Sequence, residues 1–350
     1  ILSASKSTPT TPSLLNFSRE HIITGVNYMD GFLFWTDNFN PPRRINIKTA
    51  RSWAVNDFTE DDISVIVKPP IHPPGVVLKE SGDPDTSNNL EDRFLYFSYR
   101  YRYRDDQYSA MSPFSPVGFF PSPFEYDYGT GENKSMLNAF NEVELSFNTG
   151  DEQVEAIQLL FRDTRALNIK IIETFEKSDE GWVDNLQVGG DDVDFPPPQN
   201  WTPGINPDPI VFQNNKVYGI IGQDQLPRLF DNVPLLALAQ DIIGGRLIYG
   251  NYIQYHNLVD RATGEELMLD YNVEVITDAA STFPQLTFRS DRDYEIGIEY
   301  LDDWGRSTTV LTCESNAVYV PSSVSDKPNT LRVTINNLAP AFATYYRLLV

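Results

Sequence analysis

In the stretch Asp30-Gly31-Phe32-Leu33-Phe34-Trp35, a two-residue turn leads directly into an apolar and aromatic strand. The same arrangement recurs in Asn214-Asn215-Lys216-Val217-Tyr218 and in Gly244-Gly245-Arg246-Leu247-Ile248-Tyr249. Asn, Asp and Gly tolerate the positive φ angles of tight turns, so each stretch predicts a β-hairpin. Because a hairpin cannot bury its apolar face alone, this recurrence predicts hairpins packed side by side as blades or layers, with other material inserted between them.

The composition favours short strands over long helices. The 350 residues include 18 Tyr, 21 Phe and 5 Trp, together with 25 Pro and 20 Gly, which suits many strands joined by tight turns. No stretch approaches the roughly 18 uninterrupted apolar residues of a membrane-spanning helix, and no signal-peptide pattern opens the chain. Since Ile1 is not an initiator residue, we expect the chain to be part of a longer polypeptide.

The charge of the chain limits its partners. Acidic residues outnumber basic ones by 49 to 27, which gives a formal net charge of −22. Such a surface repels phosphate backbones, so nucleic-acid binding by ordinary charge neutralisation is excluded. Solubility is the simple explanation of this charge, and the functional alternative is a negative wall along which DNA passes without sticking.

Cysteine usage fits assembly in a reducing cytoplasm. The single cysteine, Cys313, excludes an intrachain disulfide, which argues against a small secreted scaffold. We expect its thiol to be a buried small hydrophobe.

Two proline clusters, Lys68–Gly75 and Phe195–Pro198, are the best candidate domain boundaries. We predict an all-β chain with a discontinuous, propeller-like body of hairpin blades at 19–75 and 206–285. Residues 76–205 are predicted to form an inserted immunoglobulin- or fibronectin-III-like β-sandwich region, and 286–350 a second, truncated unit of that kind. The Ser-, Thr- and Pro-rich residues 1–18 are predicted to be an extended arm or linker.

The run Phe94–Arg104 alternates with the period of a half-buried strand. Tyr99, Tyr101 and Tyr103 fall on one face, and Arg100, Arg102 and Arg104 on the other. A platform for single-stranded nucleic acid needs aromatic rings and basic groups on the same face. Cross-strand salt bridges on the outer face of a sandwich are therefore the better interpretation of the arginines.

An internal repeat is predicted from three pairs of segments that occur in the same order. Two copies of one β-sandwich-like unit would explain them. The second copy lacks the strand that follows Phe161 in the first, so we expect the polypeptide to continue beyond Val350. The pairs are Tyr103–Asp106 with Tyr300–Asp303, Asn141–Asn148 with Asn329–Asn336, and Ala156–Phe161 with Thr344–Leu349.

The sequence predicts no enzyme, and no catalytic, cofactor-binding or metal-binding residue. His21, His72 and His256 lack the close spacing of a zinc site. The acidic runs do not match the twelve-residue calcium loop, so solvated loops are the default and Ca²⁺ binding stays open. These runs are Asp57 with Glu60, Asp61 and Asp62; Asp191, Asp192 and Asp194; and Asp302 with Asp303.

Two further sequence patterns are candidate ligand-binding sites. Gly129-Thr130-Gly131 begins like a glycine-rich turn but lacks the strand-to-helix context of a dinucleotide site. Trp182, Trp201 and Trp304 offer a sugar-stacking patch, with core or interface packing as the commoner role of such residues. No pair of carboxylates stands out as glycosidase residues.

Two segments resemble a known family of viral proteins. Ile22–Asp37 with Asn40–Asn46, and Leu229–Leu235 with Gly245–Tyr252, are similar to the tail muzzle proteins, also called nozzle or stabilisation proteins, of crAss-like short-tailed bacteriophages. The resemblance implies a propeller-like body with immunoglobulin-like insertions, arranged as a ring around the DNA exit channel of the virion tail. It also implies assembly in the host cytoplasm, and a ring needs heterologous contacts, for which the aromatic-rich turns are the expected anchors.

The resemblance implies three kinds of partner: copies of this chain, other tail proteins, and genomic DNA that passes without specific binding. Contact with the host surface is left open. The main alternative is a glycan-binding or glycan-degrading surface protein built on a β-propeller. A bacterial adhesin is a third hypothesis, and it requires an export or sorting signal outside this sequence.

Overall fold

The computed structural model describes residues 14–53, 58–81, 87–120, 124–133, 137–189, 207–222, 231, 233–256, 258, 268–277, 288–324 and 329–350. The fold is mostly β, in many small antiparallel sheets. The chain divides into two compact units. We call Lys68–Phe230 the central unit, and Ile1–Val67 with Asp231–Val350 the flanking unit.

The flanking unit is built from antiparallel strands and two short helices, α1 (Ile47–Ala50) and α2 (Glu60–Ile63). Its strands are β1 (Gly25–Met29), β2 (Phe32–Thr36), β3 (Arg43–Asn46), β14 (Leu236–Ile243), β15 (Arg246–Ile253), β16 (Tyr271–Thr277), β17 (Arg292–Glu295), β18 (Gly297–Leu301), β19 (Ala317–Val320), β20 (Asn329–Ile335) and β21 (Tyr345–Leu349).

Two of the three predicted hairpins are confirmed, and both lie in the flanking unit. β1 pairs with β2 around Asp30-Gly31, and β14 pairs with β15 around Gly244-Gly245. All four turn residues have positive φ, between 50° and 87°. Positive φ at both central residues is required by the type I′ turn, whose twist matches the twist of the paired strands.

These two hairpins pack against each other, as the recurrence of the pattern predicts. The Thr36 hydroxyl donates to the Ala237 carbonyl at 2.6 Å, and the Gln240 amide donates to Asn27 at 3.1 Å. The approach is closest at Gly25, where a Cβ atom would lie 2.6 Å from Cγ of Gln240 and 3.1 Å from its backbone nitrogen. Glycine at this position therefore lets β1 and β14 come together.

On the other face of the first hairpin, the side chains of β2 pack into a small apolar core. β3 extends the sheet to the order β1-β2-β3, and Trp35, Ile45 and Ile63 pack together there with Leu15. The Leu14 carbonyl accepts a hydrogen bond from Nη1 of Arg43 at 2.7 Å. Leu15, within the predicted arm, is buried, while residues 1–13 lie outside the described residues. The arm itself stays a prediction.

The C-terminal part of the flanking unit pairs β16 with β20, β17 with β19 and β18 with β21. Side chains from these strands share one core, which includes Tyr271, Ile298 and Tyr300 with Val333 at its margin. Cys313 is half-buried at that margin and its thiol donates to the Tyr271 carbonyl. The thiol thus packs largely as expected.

The central unit is built from antiparallel strands and the short helix α3 (Lys177–Glu180). One sheet has the order β13-β10-β9-β5, and another joins β11, β8 and β12, with β4 also paired to β8. Its strands are β4 (Gly75–Lys79), β5 (Leu95–Tyr103), β6 (Tyr126–Asp127), β7 (Glu132–Asn133), β8 (Glu142–Asn148), β9 (Val154–Asp163), β10 (Ile169–Glu176), β11 (Gln187–Val188), β12 (Ile210–Phe212) and β13 (Gly219–Ile220).

Aromatic side chains connect the two larger sheets of the central unit. Phe212 of β12 contacts Phe97 of β5 and Phe161 of β9, with ring centroids 5.4 and 5.0 Å apart. Tyr99 of β5 lies 5.8 Å from Phe147 of β8. The aromatic excess of the sequence is therefore used to fill the space between these sheets.

The hairpin predicted at Asn214-Asn215 is wrong. Asn214 has the expected positive φ of 52°, but β12 before it pairs with β8 and β13 after it pairs with β10. The turn therefore joins two different sheets. Residues 207–222 lie in the central unit.

The proline cluster at Lys68–Gly75 coincides with the start of the central unit. The cluster at Phe195–Pro198 lies outside the described residues. The other predicted domain boundaries stay predictions.

Strand pairing repeats between the two units. β4 pairs with β8 and β5 with β9 in the central unit, and β16 pairs with β20 and β18 with β21 in the flanking unit. Hydrogen bonds fix the equivalence. The Tyr101 N–H donates to Oγ of Ser109 and its carbonyl accepts from the Ser109 N–H, and Tyr300 makes the same two bonds with Thr308, which also lies eight residues later. Tyr300 thus corresponds to Tyr101, and the predicted alignment with Tyr103 is wrong by two residues.

Candidate interaction surface

The predicted Tyr and Arg faces of β5 are confirmed. Tyr99, Tyr101 and Tyr103 are buried, while Arg102 pairs with Glu176 of β10 at 2.6 Å across the sheet. Arg100 departs from the prediction, because it is buried beneath the ring of Tyr108 and donates to Gln158 at 2.9 Å. This strand therefore offers no exposed platform of stacked rings and basic groups.

The first acidic cluster stabilises local structure. The Asp62 carboxylate accepts hydrogen bonds from the backbone and the hydroxyl of Thr59, both at 2.8 Å, in a capping box at the start of α2. Glu60 lies 3.5 Å from the buried guanidinium of Arg43. Asp57 and the cluster Asp191, Asp192 and Asp194 lie outside the described residues, so the question of Ca²⁺ stays open there.

Asp302 forms the most elaborate buried polar cluster of the flanking unit. Its Oδ2 accepts from Nε of Arg306 at 2.8 Å and lies 3.1 Å from Nε2 of His256. Its Oδ1 accepts from the backbone N–H groups of Trp304 and Arg306, each at 2.9 Å. The His256 ring stacks on Phe342 with centroids 3.8 Å apart. These contacts join the segment after β15 to the loops after β18 and before β21.

The pKa of Asp302 reflects a balance in this cluster. Burial favours the neutral acid and would raise the pKa, but the hydrogen bond with His256 and the charge and hydrogen bonds of Arg306 outweigh it, so the pKa is lowered. Asp303 beside it is exposed. The pair predicted from sequence therefore divides into one structural carboxylate and one solvated carboxylate.

The histidines and tryptophans do not converge on a site. His21 stacks on Phe39 at 4.6 Å, far along the chain from the His256 cluster. Across the described ranges, no group of three or more His, Cys, Asp or Glu residues is placed to hold a metal ion. Trp182 packs in the core against Phe147 and Phe175, Trp304 stacks on Arg306, and Trp201 lies outside the described residues.

Exposed apolar side chains form a stripe on β1. Gly25 and Asn27 face β14, so the alternating residues Val26 and Tyr28 point away from it. They are 58% and 65% exposed. We call this pair the β1 stripe.

A second stripe lies on β15. Tyr249 is opposite Gln240 and Ile248 is opposite Asp241, and the side chains of Gln240 and Asp241 both bond to Asn27 of β1. Ile248 and Tyr252 are large side chains of β15. They are 46% and 52% exposed. Gly250 lies between them, opposite Ala239, so only small residues lie between the two large side chains. We call Ile248 and Tyr252 the β15 stripe.

These stripes are not among the features predicted from the sequence. The anchors were predicted in aromatic-rich turns, but the exposed side chains lie within the strands. A signal was present, because β1 and β15 carry large apolar residues on faces that a half-buried hairpin would make polar. Such exposed apolar groups mark interaction surfaces more often than chemical sites.

Comparison with protein-family models finds no match, and comparison with curated proteins finds none either. No helix in the described part of the chain has the length and apolar character needed to cross a membrane.

Proposed function

We propose that this chain is a structural subunit of a short-tailed bacteriophage tail, forming part of the distal muzzle or nozzle ring around the DNA exit channel. The observation that carries the proposal is the presence of two separate exposed apolar stripes, one on β1 and one on β15. Head-to-tail association uses two different patches on each subunit and closes into a ring when the rotation permits.

The resemblance to tail muzzle proteins supports the same proposal. Of the segments that carry the resemblance, Ile22–Asp37 with Asn40–Asn46 contains the sheet β1-β2-β3, and Gly245–Tyr252 contains most of β15. β1 and β15 are the strands that carry the stripes. In this proposal the hairpins are blades of a propeller-like body, and the repeated strand pairs are immunoglobulin- or fibronectin-III-like units. The subunit sits in the virion tail after assembly in the host cytoplasm.

The net charge of −22 supports the mechanical part of the proposal. A negative channel wall does not retain a phosphate backbone, so genomic DNA passes without specific binding. The subunit supplies shape and closure, and the proposal assigns it no catalytic step.

The test uses the purified chain and two variants, Tyr28→Asp and Tyr252→Asp, examined by native mass spectrometry and electron microscopy. The parent chain is expected to form a closed ring of one size. Each variant alone is expected to be monomeric, because one of its two stripes is charged. Mixing the variants restores one intact pair of stripes, so a dimer containing one copy of each is expected and no larger species.

Tyr128→Asp is the matched control, because Tyr128 is 91% exposed and lies in the central unit. It should assemble like the parent. If the parent chain stayed monomeric at high concentration, that result would contradict the proposed ring. A parent that stops at a symmetric dimer, with no recovery in the mixture, would show an isologous contact and overturn the head-to-tail arrangement.

A further inference from the structure

The hairpin of β6 and β7 carries two exposed tyrosine rings. Tyr126 begins β6 and Tyr128 lies in the turn that follows, and they are 41% and 91% exposed. Their ring centroids are 5.0 Å apart and the ring planes cross at 82°. Within the described ranges, no other perpendicular pair of rings has both members exposed. We call Tyr126 and Tyr128 the tyrosine corner.

Hydrogen bonds in the turn hold the backbone of the tyrosine corner. The Asp127 carboxylate accepts from the N–H of Gly129 at 2.7 Å, and the Asp127 carbonyl accepts from the N–H of Gly131 at 2.8 Å. The bonds from Gly129 and Thr130 lower the pKa of Asp127, so its carboxylate is charged at neutral pH. Tyr128 is therefore presented by a hydrogen-bonded turn.

The central unit contains a second perpendicular pair of rings, and a cation lies over it. The rings of Tyr96 and Phe114 are 6.3 Å apart and their planes cross at 73°. The guanidinium of Arg162 lies 5.1 Å from each of the two ring centroids. Because the face of an aromatic ring carries negative potential, both rings attract the cation. This protein therefore already uses a perpendicular pair of rings to hold a guanidinium.

The charge of the hairpin complements a cation. Residues 124–133 include three acidic residues and no basic residue. Asp127 and Glu132 lie directly opposite each other on the two strands, where like charges repel. Neither carboxylate forms a salt bridge in the described part of the chain. Asp127 lies between the two tyrosines in sequence, well within the Debye length of about 10 Å at 0.1 M salt, so its charge acts on a cation held by the rings.

We propose that the tyrosine corner binds an arginine side chain from a basic segment of a partner protein. The guanidinium lies against both rings, as Arg162 lies against Tyr96 and Phe114. Arginine fits better than lysine, because its planar group stacks on aromatic faces and is more weakly hydrated. The acidic hairpin attracts the basic segment, and the rings select the guanidinium. This proposal does not depend on the proposed ring.

The first experiment measures peptide binding to the intact chain by fluorescence anisotropy. The probe is a fluorescein-labelled peptide, Gly-Ser-Arg-Gly-Ser-Arg-Gly-Ser, and its matched control has citrulline in place of arginine. Citrulline keeps the shape of the side chain but has no charge, so its affinity should be at least fivefold lower. A benzophenone placed beside the first arginine should form cross-links within residues 124–133, which mass spectrometry locates.

The second experiment repeats the titration with variants of the chain. Tyr128→Leu removes the ring and keeps an apolar side chain, so it should weaken binding about threefold. Tyr128→Phe keeps the ring and should bind like the parent. Tyr28→Leu is the matched control, because Tyr28 is 65% exposed and lies in the flanking unit, and it should leave binding unchanged. Melting temperatures show that the variants are folded.

Four outcomes would overturn the proposal. The arginine and citrulline peptides could bind equally, or Tyr128→Leu could bind as tightly as the parent. Cross-links confined to other segments would place the peptide elsewhere. A neutral maltooligosaccharide that binds the parent but not Tyr128→Leu, with no binding of the arginine peptide, would identify a sugar site instead. Self-association of the parent that is lost in Tyr128→Leu would show that the occupant is a second copy of this chain.

Discussion

Asp302 shows how one side chain organises part of the flanking unit. The carboxylate is 5% exposed, and both of its oxygens accept hydrogen bonds. Removing its charge leaves the buried Arg306 guanidinium without its counter-ion, and an unpaired buried charge is strongly destabilising. The cluster therefore holds its loops in place through a single charged group.

We predict that Asp302→Asn lowers the free energy of unfolding by about 3 kcal/mol. The physical reason is the loss of the charged partner of Arg306, while the shape of the side chain is preserved. Urea unfolding followed by tryptophan fluorescence measures the effect. Asp303→Asn, at the exposed neighbour, should change the stability by less than about 0.5 kcal/mol, and an equal loss in both variants would contradict a specific role of Asp302.

The same carboxylate predicts a pH dependence. Its pKa is lower in the folded chain than in the unfolded one, so its contribution to stability is complete above the unfolded value of about 4 and is lost as the pH falls through the folded value. The difference in melting temperature between the parent and Asp302→Asn should therefore be largest near neutral pH and shrink below about pH 4. Calorimetry near neutral pH and below about pH 4 measures this difference in melting temperature. A difference that does not change with pH would contradict the lowered pKa of Asp302.

At the level of elements, the turns between strands allow a stabilising substitution. Gly244 has a φ of 59° at the first central position of its hairpin turn, and no atom within 4 Å would meet an added Cβ. Asn adopts this conformation readily and restricts the unfolded chain more than Gly does. We predict that Gly244→Asn raises stability by about 0.5 kcal/mol.

Thermal unfolding of three proteins tests this prediction. Gly244→Asn should melt above the parent, and Gly244→Ala should melt below it, because Ala tolerates positive φ poorly. If both variants melted below the parent, the turn would not have the backbone conformation described here.

The hairpins also show how much of the fold can be predicted from sequence patterns. Asp30-Gly31 and Gly244-Gly245 specified both a turn and its paired strands, because the flanking residues could pair locally. Asn214 specified only a turn, since its neighbours bury Phe212 between Phe97 and Phe161 on distant strands. Turn propensity is local, whereas the choice of a pairing partner depends on burial elsewhere in the chain.

The candidate interaction surface could likewise be predicted from the sequence only in part. The internal repeat was visible in the sequence, but its register required the hydrogen bonds of Tyr101 and Tyr300. The sequence shows the large apolar residues of the β1 and β15 stripes, but their alternation does not reveal which face another hairpin covers. Exposure is a property of the tertiary packing, so it appears only once β1 and β14 are placed together.

At the level of the whole molecule, the charge of −22 opposes any contact between copies. Salt shortens the Debye length from about 10 Å at 0.1 M to about 3 Å at 1 M, while apolar contacts through the stripes persist. We predict that the assembled fraction increases between about 0.05 and 0.5 M salt. Light scattering at fixed protein concentration measures it, and dissociation on adding salt would indicate an interface held by ion pairs.

The division of the flanking unit into two chain segments has a consequence for how the protein is made on the ribosome. β1 and β2 emerge early, but β14, which covers Gly25 and Asn27, is translated only after the whole central unit. At 5–20 residues per second, this delay lasts roughly ten to forty seconds. During synthesis, the nascent first hairpin therefore waits without its partner, and chaperone binding at that stage should concentrate on β1 and β2.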